Sequence, residues 1–290
     1  MTPGRAFGAR LEQAFAAHGQ LCVGIDPHSW LLSDWGLPDS AAGVESFGRT
    51  VVAAAAGRVG IVKPQVAFFE RFGSAGYAAL ERTLADARAA GLLVIADVKR
   101  GDLGTSSEAY AQAWLGAGSS LEVDAITVSA YMGVGSLDAA ITLAGETGKG
   151  LFLLAATSNP EAAAIQRAVV ADGARAGRTV ARAILDDVAE RNAAATTDSL
   201  GSIGVVLGAT LDLAAFGIDL AAAAPTAALT PVLAPGFGHQ GADVTNLNGL
   251  YGGYARGVIV SESRSVLAAG PDRLAETIAR RATETGAARG

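Results

Sequence analysis

The chain has one cysteine, two methionines and three lysines among 290 residues, and none of its apolar runs is longer than a strand. A lone thiol, Cys22, cannot close a disulfide within the chain, so an internally disulfide-stapled scaffold is excluded; lying in an apolar run, it reads as a small buried side chain. The longest apolar stretches, Leu92 to Ala96 and Gly150 to Ala156, fall far short of the roughly 20 residues that a membrane-spanning helix needs. Met1 to Arg10 holds arginines but neither an apolar block nor a small-residue cleavage pattern, so no signal peptide is expected and the expected location is cytoplasmic. The formal net charge is −6 and the basic residues are dispersed. That distribution lacks the electrostatic footprint of a nucleic-acid binder, and neither nucleic acid nor membrane is expected as a partner. The three histidines, His18, His28 and His239, are scattered without metal-ligand spacing, and no HExxH or Cys/His cluster occurs; no metal is expected. His239 reads as a solvated loop side chain, with contact to a bound ligand as the alternative.

The shortage of lysine carries information of its own. Nineteen arginines serve as the ordinary surface cation, against three lysines at 63, 99 and 149. An ammonium can give up its proton near neutral pH and a guanidinium cannot, so a lysine kept in such a chain is a candidate for proton chemistry.

Half of the residues are hydrophobic, enough for one large core, and no compositional break divides them. Eight short β-rich apolar runs recur: Leu21 to Asp26, Val59 to Lys63, Leu92 to Lys99, Val123 to Ser129, Leu151 to Thr157, Ile203 to Gly208, Pro231 to Pro235 and Val258 to Ser261. Ala-rich stretches with helical spacing lie between them, such as Tyr77 to Ala90, Glu108 to Ala117, Gly177 to Arg191 and Asp272 to Ala282. Strand and helix in strict alternation imply a parallel sheet. Eight units fit a closed (β/α)8 TIM barrel better than an open doubly wound sheet, and no GxGxxG follows the first strand. The expectation is a single α/β barrel domain over 1–290, with its core at about 19–285 and a helical insertion at about 159–200. Ala41 to Ala56 reads as helix; Ala221 to Ala228 and the tail after Thr285 read as a helix end or frayed terminus, without function.

In such a barrel the active site lies at the carboxyl ends of the strands. There the first three runs end in charge: Asp26, Lys63, and Asp97-Val98-Lys99-Arg100-Gly101-Asp102. Strand alternation sends Asp97 and Lys99 the same way, and Gly101 lets the chain turn to present Asp102, giving a carboxylate, ammonium, carboxylate row. A lysine so flanked is expected to be held protonated, which suits a general acid more than a Schiff-base nucleophile. A plain ion-pair network closing the barrel is the alternative, but it leaves Lys63 at the adjacent strand end unexplained. Lys149 precedes the fifth run, at the opposite face, and reads as solvated.

The last two units carry a second signal. Pro235-Gly236-Phe237-Gly238-His239-Gln240-Gly241 follows the seventh run and Ser261-Glu262-Ser263-Arg264 the eighth. Glycine-rich turns that expose backbone N–H groups, with a guanidinium one strand on, are the usual barrel arrangement for a phosphate.

The run Asp97-Val98-Lys99-Arg100-Gly101-Asp102-Leu103 resembles the DxKxxDI signature of the orotidine 5′-monophosphate decarboxylases. Val62-Lys63-Pro64-Gln65, Thr157-Ser158-Asn159-Pro160 and Pro235 to Gly241 resemble the longer bacterial subgroup of that family, so the likeness spans most of the chain. It implies a cofactor-free lyase of pyrimidine biosynthesis that converts orotidine 5′-monophosphate to uridine 5′-monophosphate. On the matching positions it implies that Lys99 delivers a proton to C6 while Asp97 crowds the departing carboxylate, and that Lys63 and Asp102 complete the charge array. Asp26 and Lys63 would hold ribose hydroxyls, Ser158 the pyrimidine amide edge, and Gln240, Arg264 and the Gly236 to Gly238 backbone the phosphate; Ser129 would line the pocket. It further implies a homodimer in which Asp102 and Ser106 reach into the neighbouring site. Two departures stand out: Leu103 replaces isoleucine, and Arg264 follows a longer Ser261-Glu262-Ser263 spacer. Other readings of the same residues are a sugar-phosphate decarboxylase or aldolase on this barrel, and a non-catalytic nucleotide-phosphate binder.

Overall fold

A computed structural model describes residues 5–196, 198–220 and 228–287. Eight parallel strands close into a barrel in sequence order: β1 (Leu21–Ile25), β2 (Ile61–Pro64), β3 (Leu93–Arg100), β4 (Ala125–Val128), β5 (Gly150–Ala156), β6 (Ile203–Leu207), β7 (Val232–Pro235) and β8 (Val258–Glu262), with β8 pairing back onto β1. Each falls on one of the eight apolar runs. Their side chains are almost wholly buried because the barrel packs one face inward and the other against the surrounding helices, which is why the runs read as continuous rather than alternating. Full burial of each Val, Leu, Ile or Phe contributes about 1.5–3 kcal/mol.

The amino-terminal face is closed by side chains. The helix Phe7–His18 sends Phe7 against Phe152 of β5, edge to face with ring centroids 5.9 Å apart. Three glycines make room for these contacts: a Cβ at Gly150 would lie 2.5 Å from the Phe7 ring, one at Gly204 2.4 Å from the Phe152 ring, and one at Gly8 2.2 Å from the Leu200 carbonyl oxygen. Arg10 adds an ion pair to Asp124, whose other oxygen accepts from the Val94 amide at 2.8 Å. Here too is Lys149, which is not solvated as expected: it pairs with Glu122 at 2.8 Å and its side chain is only 12% exposed. Residues 120–124 run beside the start of β5 and bring that carboxylate alongside, a proximity no local pattern encodes.

The expected helices are present with shifted ends. The one expected from Glu108 begins earlier (Gly104–Leu115), and the insertion holds a short helical turn (Ala163–Gln166), a bridge between Val169 and Thr179, and the helix Val180–Ala195, which packs on β5 and β6. Thr179 caps that last helix by accepting from the Arg182 amide at 3.1 Å. Most of Ala221 to Ala228 and the end of the tail lie outside the described residues.

Gly204→Ala should destabilise the protein by about 1–3 kcal/mol, because a methyl there overlaps Phe152 and the Pro231 carbonyl. Gly145→Ala, in the helix Asp138–Thr147 with open space around it, should instead be neutral or stabilising by up to about 1 kcal/mol. Urea denaturation of both variants checks the contrast; equal effects would contradict the packing described.

Candidate active site

The carboxyl ends of the strands surround a cavity of about 480 Å³, a size typical of small-molecule sites. Its chemistry is organised by one carboxylate. Asp97, on β3, accepts from Lys63 Nζ at 2.9 Å and Lys99 Nζ at 2.5 Å, and from Thr127 Oγ1 of β4 at 2.9 Å. With its amide nitrogen facing Asp97, Gln65 donates to Oδ2 at 2.7 Å and to the Asp97 carbonyl at 3.2 Å. Burial alone would raise the Asp97 carboxyl, but the ammonium groups of Lys63 and Lys99 outweigh it and hold the group well below the usual carboxylate range. Lys63 is buried as well, and burial alone would lower it; Asp97 and Asp26 reverse that and raise it above the ordinary lysine value. Behind the array, burial pushes the Cys22 thiol up to about 12, as its inert structural reading requires.

Lys99 and Asp97 meet, though not by regular alternation. Ala96 pairs with Ile126 and Arg100 with Val128, so residues 97–99 stand opposite Thr127 alone. Lys99 occupies this bulge with φ +46°, the only non-glycine residue at positive φ among the described residues. A long side chain in that region is strained by about 1–3 kcal/mol and persists only where its surroundings hold it. Here the Lys99 amide donates to Thr127 Oγ1 at 3.0 Å, and the ammonium is tied to Asp97. The Lys99 side chain stays 46% exposed, against 9% for Lys63, so it reaches from the buried array toward the cavity.

Asp26, Ser158, Gly236, Gln240 and Arg264 join Lys63, Asp97 and Lys99 around this cavity. Three residues expected here, Asp102, Ser129 and Gly238, are placed elsewhere, and Ser106, implied to reach into a neighbouring site, stands outside this cavity too. Asp102 does not flank Lys99 within its own chain: past Gly101 the chain turns outward, and the carboxylate accepts from the Leu103 amide at 2.8 Å. Ser106 lies exposed in the following helix. Ser129 falls outside the lining, where its carbonyl packs against Gly101, and Thr127 faces the cavity in its place. Gly238 turns its amide to Ala242 at 3.3 Å and rests on Ser265, whereas Gly236, at φ +119°, keeps its place at the wall.

Three further residues belong to the site. Thr127 and Gln65 complete the coordination of Asp97, and His28 lines the wall between the rings of Phe68 and Trp30. Burial lowers the His28 imidazole below its usual value; Asp26 opposes this, and Arg264 and Arg71 reinforce it. Its place two residues beyond Asp26 at the end of β1 was the available signal. Asp26 Oδ1 and Ser263 Oγ are buried on this wall without a hydrogen-bond partner. Such groups are costly to leave unpaired, so both point to a polar ligand.

The model of the orotidine 5′-phosphate decarboxylase / HUMPS family matches residues 19–276. The chain belongs to that family. It is 52% identical over 267 residues to the orotidine 5′-phosphate decarboxylase of Salinispora arenicola, covering 92% of this chain and 91% of the relative, and 50% identical over 267 residues to that of Streptomyces coelicolor, with the same coverage. A crystal structure assigned to the family's decarboxylase from Streptomyces avermitilis superposes with a TM-score of 0.90 at 49% identity, covering 99% of this chain and 97% of that one. The Leishmania donovani OMP decarboxylase structure gives 0.71 at 27% identity, covering 97% and 99%.

The depressed Asp97 contributes stability that is present above its unfolded value of 3.8 and is lost as pH falls toward the folded value. Asp97→Asn removes that contribution and strips buried Lys63 of its partner, so stability near pH 7 should fall by about 3–5 kcal/mol. The gap to the wild type should narrow between about pH 5 and pH 2. Thermal melts across that range check this, and a constant gap would refute the pairing.

Proposed function

We propose that this protein decarboxylates orotidine 5′-monophosphate to uridine 5′-monophosphate and carbon dioxide in pyrimidine biosynthesis, in the cytoplasm and without a cofactor. The observation that carries the reading is the strained, half-exposed Lys99 ammonium, held 2.5 Å from a buried carboxylate at the edge of the cavity. Loss of carbon dioxide from C6 leaves an electron pair on a carbon with no adjacent carbonyl to delocalise it. An enzyme must therefore supply stabilisation that grows as charge moves from the carboxylate to that carbon. Lys99 supplies a fixed positive charge there and then the proton that replaces carbon dioxide at C6. Asp97, facing the same point, meets the substrate carboxylate with like charge, and that repulsion is relieved as carbon dioxide leaves.

The remaining polar groups divide the rest of the substrate among them. Asp26, with its unpartnered Oδ1, and Lys63 serve the ribose hydroxyls, and Ser158 serves the pyrimidine amide edge. The Gly236 backbone, Gln240 and Arg264 take the phosphate, whose binding energy offsets the crowding at Asp97. An aldolase would need the Lys99 amine directed at a substrate carbonyl, whereas its Nζ is directed onto the Asp97 carboxylate at 2.5 Å.

The site is completed by a second copy of the chain. Asp102 and Ser106 stand outside their own cavity, and Leu103 and Tyr110 of the same turn and helix are exposed, apolar surface that suits burial in a homodimer. Asp102 of the partner subunit would then supply the second carboxylate beside Lys99.

Ultraviolet absorbance of orotidine 5′-monophosphate gives the test. The wild type should turn over unchanged in EDTA, and Lys99→Ala should lose at least about 100-fold in kcat. Asp102→Ala should be similarly impaired, yet subunits of the two variants, mixed and allowed to exchange, should regain activity, because one site of each mixed dimer is then intact. Near wild-type turnover by Lys99→Ala would overturn the acid role; no recovery on mixing would overturn the shared site.

A further inference from the structure

The two loops read as the phosphate site rest on one buried ion pair that does not itself line the cavity. Glu262, the last residue of β8, is 1% exposed. It receives Arg281 of the helix Leu274–Ala287 in a two-pronged pair, Nε to Oε2 at 3.0 Å and Nη2 to Oε1, and Ser265 Oγ donates to Oε2 at 2.8 Å. Glu284 holds the other side of the guanidinium. The β7 loop sits on the same group: a Cβ at Gly238 would lie 2.6 Å from Ser265 Oγ and 3.1 Å from Glu262 Oε2. Neither Glu262, Ser265 nor Arg281 borders the cavity, whereas their neighbours Gly236, Gln240, Ser263 and Arg264 do.

With its carboxylate wholly buried and its guanidinium mostly so, the pair contributes little net stability over apolar side chains of the same volume, because the charges give up much of their hydration. What it does supply is direction. The planar fork accepts one geometry of carboxylate, and that carboxylate is joined by one residue, Ser263, to Arg264.

We propose that the Glu262–Arg281 pair is a positioning device for the anion site. It fixes the separation between the Gly236–Gln240 loop and the Arg264 guanidinium, so that both reach the same phosphate. This rests on the reading of these loops as the phosphate site. It acts at that end alone, since Asp26, Lys63, Asp97 and Ser158 are anchored elsewhere.

Titration calorimetry with uridine 5′-monophosphate and with uridine separates the two ends of the ligand. Arg281→Met should weaken uridine 5′-monophosphate by about 10- to 100-fold and leave uridine unchanged. Arg281→Lys, which keeps the charge but not the fork, should fall between. Ser265→Ala removes a single contact to the same carboxylate; it should show the same split on a smaller scale, and it carries the test if Arg281→Met does not fold. Unchanged affinity for both ligands, or an equal loss for both, would overturn the proposal. Equal binding of the two ligands by the wild type would instead overturn the phosphate-site reading beneath it.

Discussion

The site is built outward from the Asp97 carboxylate. A bare carboxylate at this depth would take up a proton, and a bare ammonium such as Lys63 would lose one. Each keeps its charge because the other is 2.9 Å away. Once that pair is fixed, the remaining acceptor positions on Asp97 dictate what surrounds it: Thr127 from β4, Gln65 from the turn after β2, and Lys99 from its own strand. Lys99 returns to Asp97 from a bulge at positive φ, so the local distortion and the ion pair occur together. The backbone strain is sustained by hydrogen bonds and an ion pair that are themselves part of the site.

The opposite end of the cavity follows a different rule. Among the described residues no carboxylate pairs with Arg264, the guanidinium proposed to take the phosphate, and the nearby Glu262 is already committed to Arg281. Were Glu262 free, it would compete for Arg264 and repel an anion. One end thus holds its charges in mutual balance around the proposed reacting centre, while the other presents a positive group to the phosphate proposed for it.

Most of the frame was legible in the sequence because the signals that set it are local. Apolar runs of strand length, separated by helical spacing, marked all eight strands to within two residues at their starts, and the rarity of lysine directed attention to positions 63 and 99. What was missed depends on contacts between segments remote in sequence. Thr127 was passed over for Ser129 because a bulge in β3 changes which β4 residue faces Asp97, and bulges leave no periodic trace. Asp102 was set beside Lys99 on strand geometry that ends at Gly101. Lys149 was read as solvated because Glu122, its partner, lies across a turn and not in its own helix or strand. Glu262 looked like spacer between Ser261 and Ser263, since nothing nearby announces that Arg281 will fold back onto it.

Phe7 at the base of the barrel constrains how the chain can assemble. Its helix precedes every barrel strand in the chain, but the ring it packs against belongs to Phe152, and the carbonyl that admits Gly8 belongs to Leu200. The first lies in the fifth strand and the second just ahead of the sixth. That helix therefore carries an unsatisfied apolar face while the first four strand units are made, and those units lack the floor that seals their interior. Contacts of such long sequence separation slow folding and make it more cooperative, so a half-built barrel is not a resting state, and the interval before β5 and β6 appear is when the nascent chain most needs shielding from other apolar surfaces.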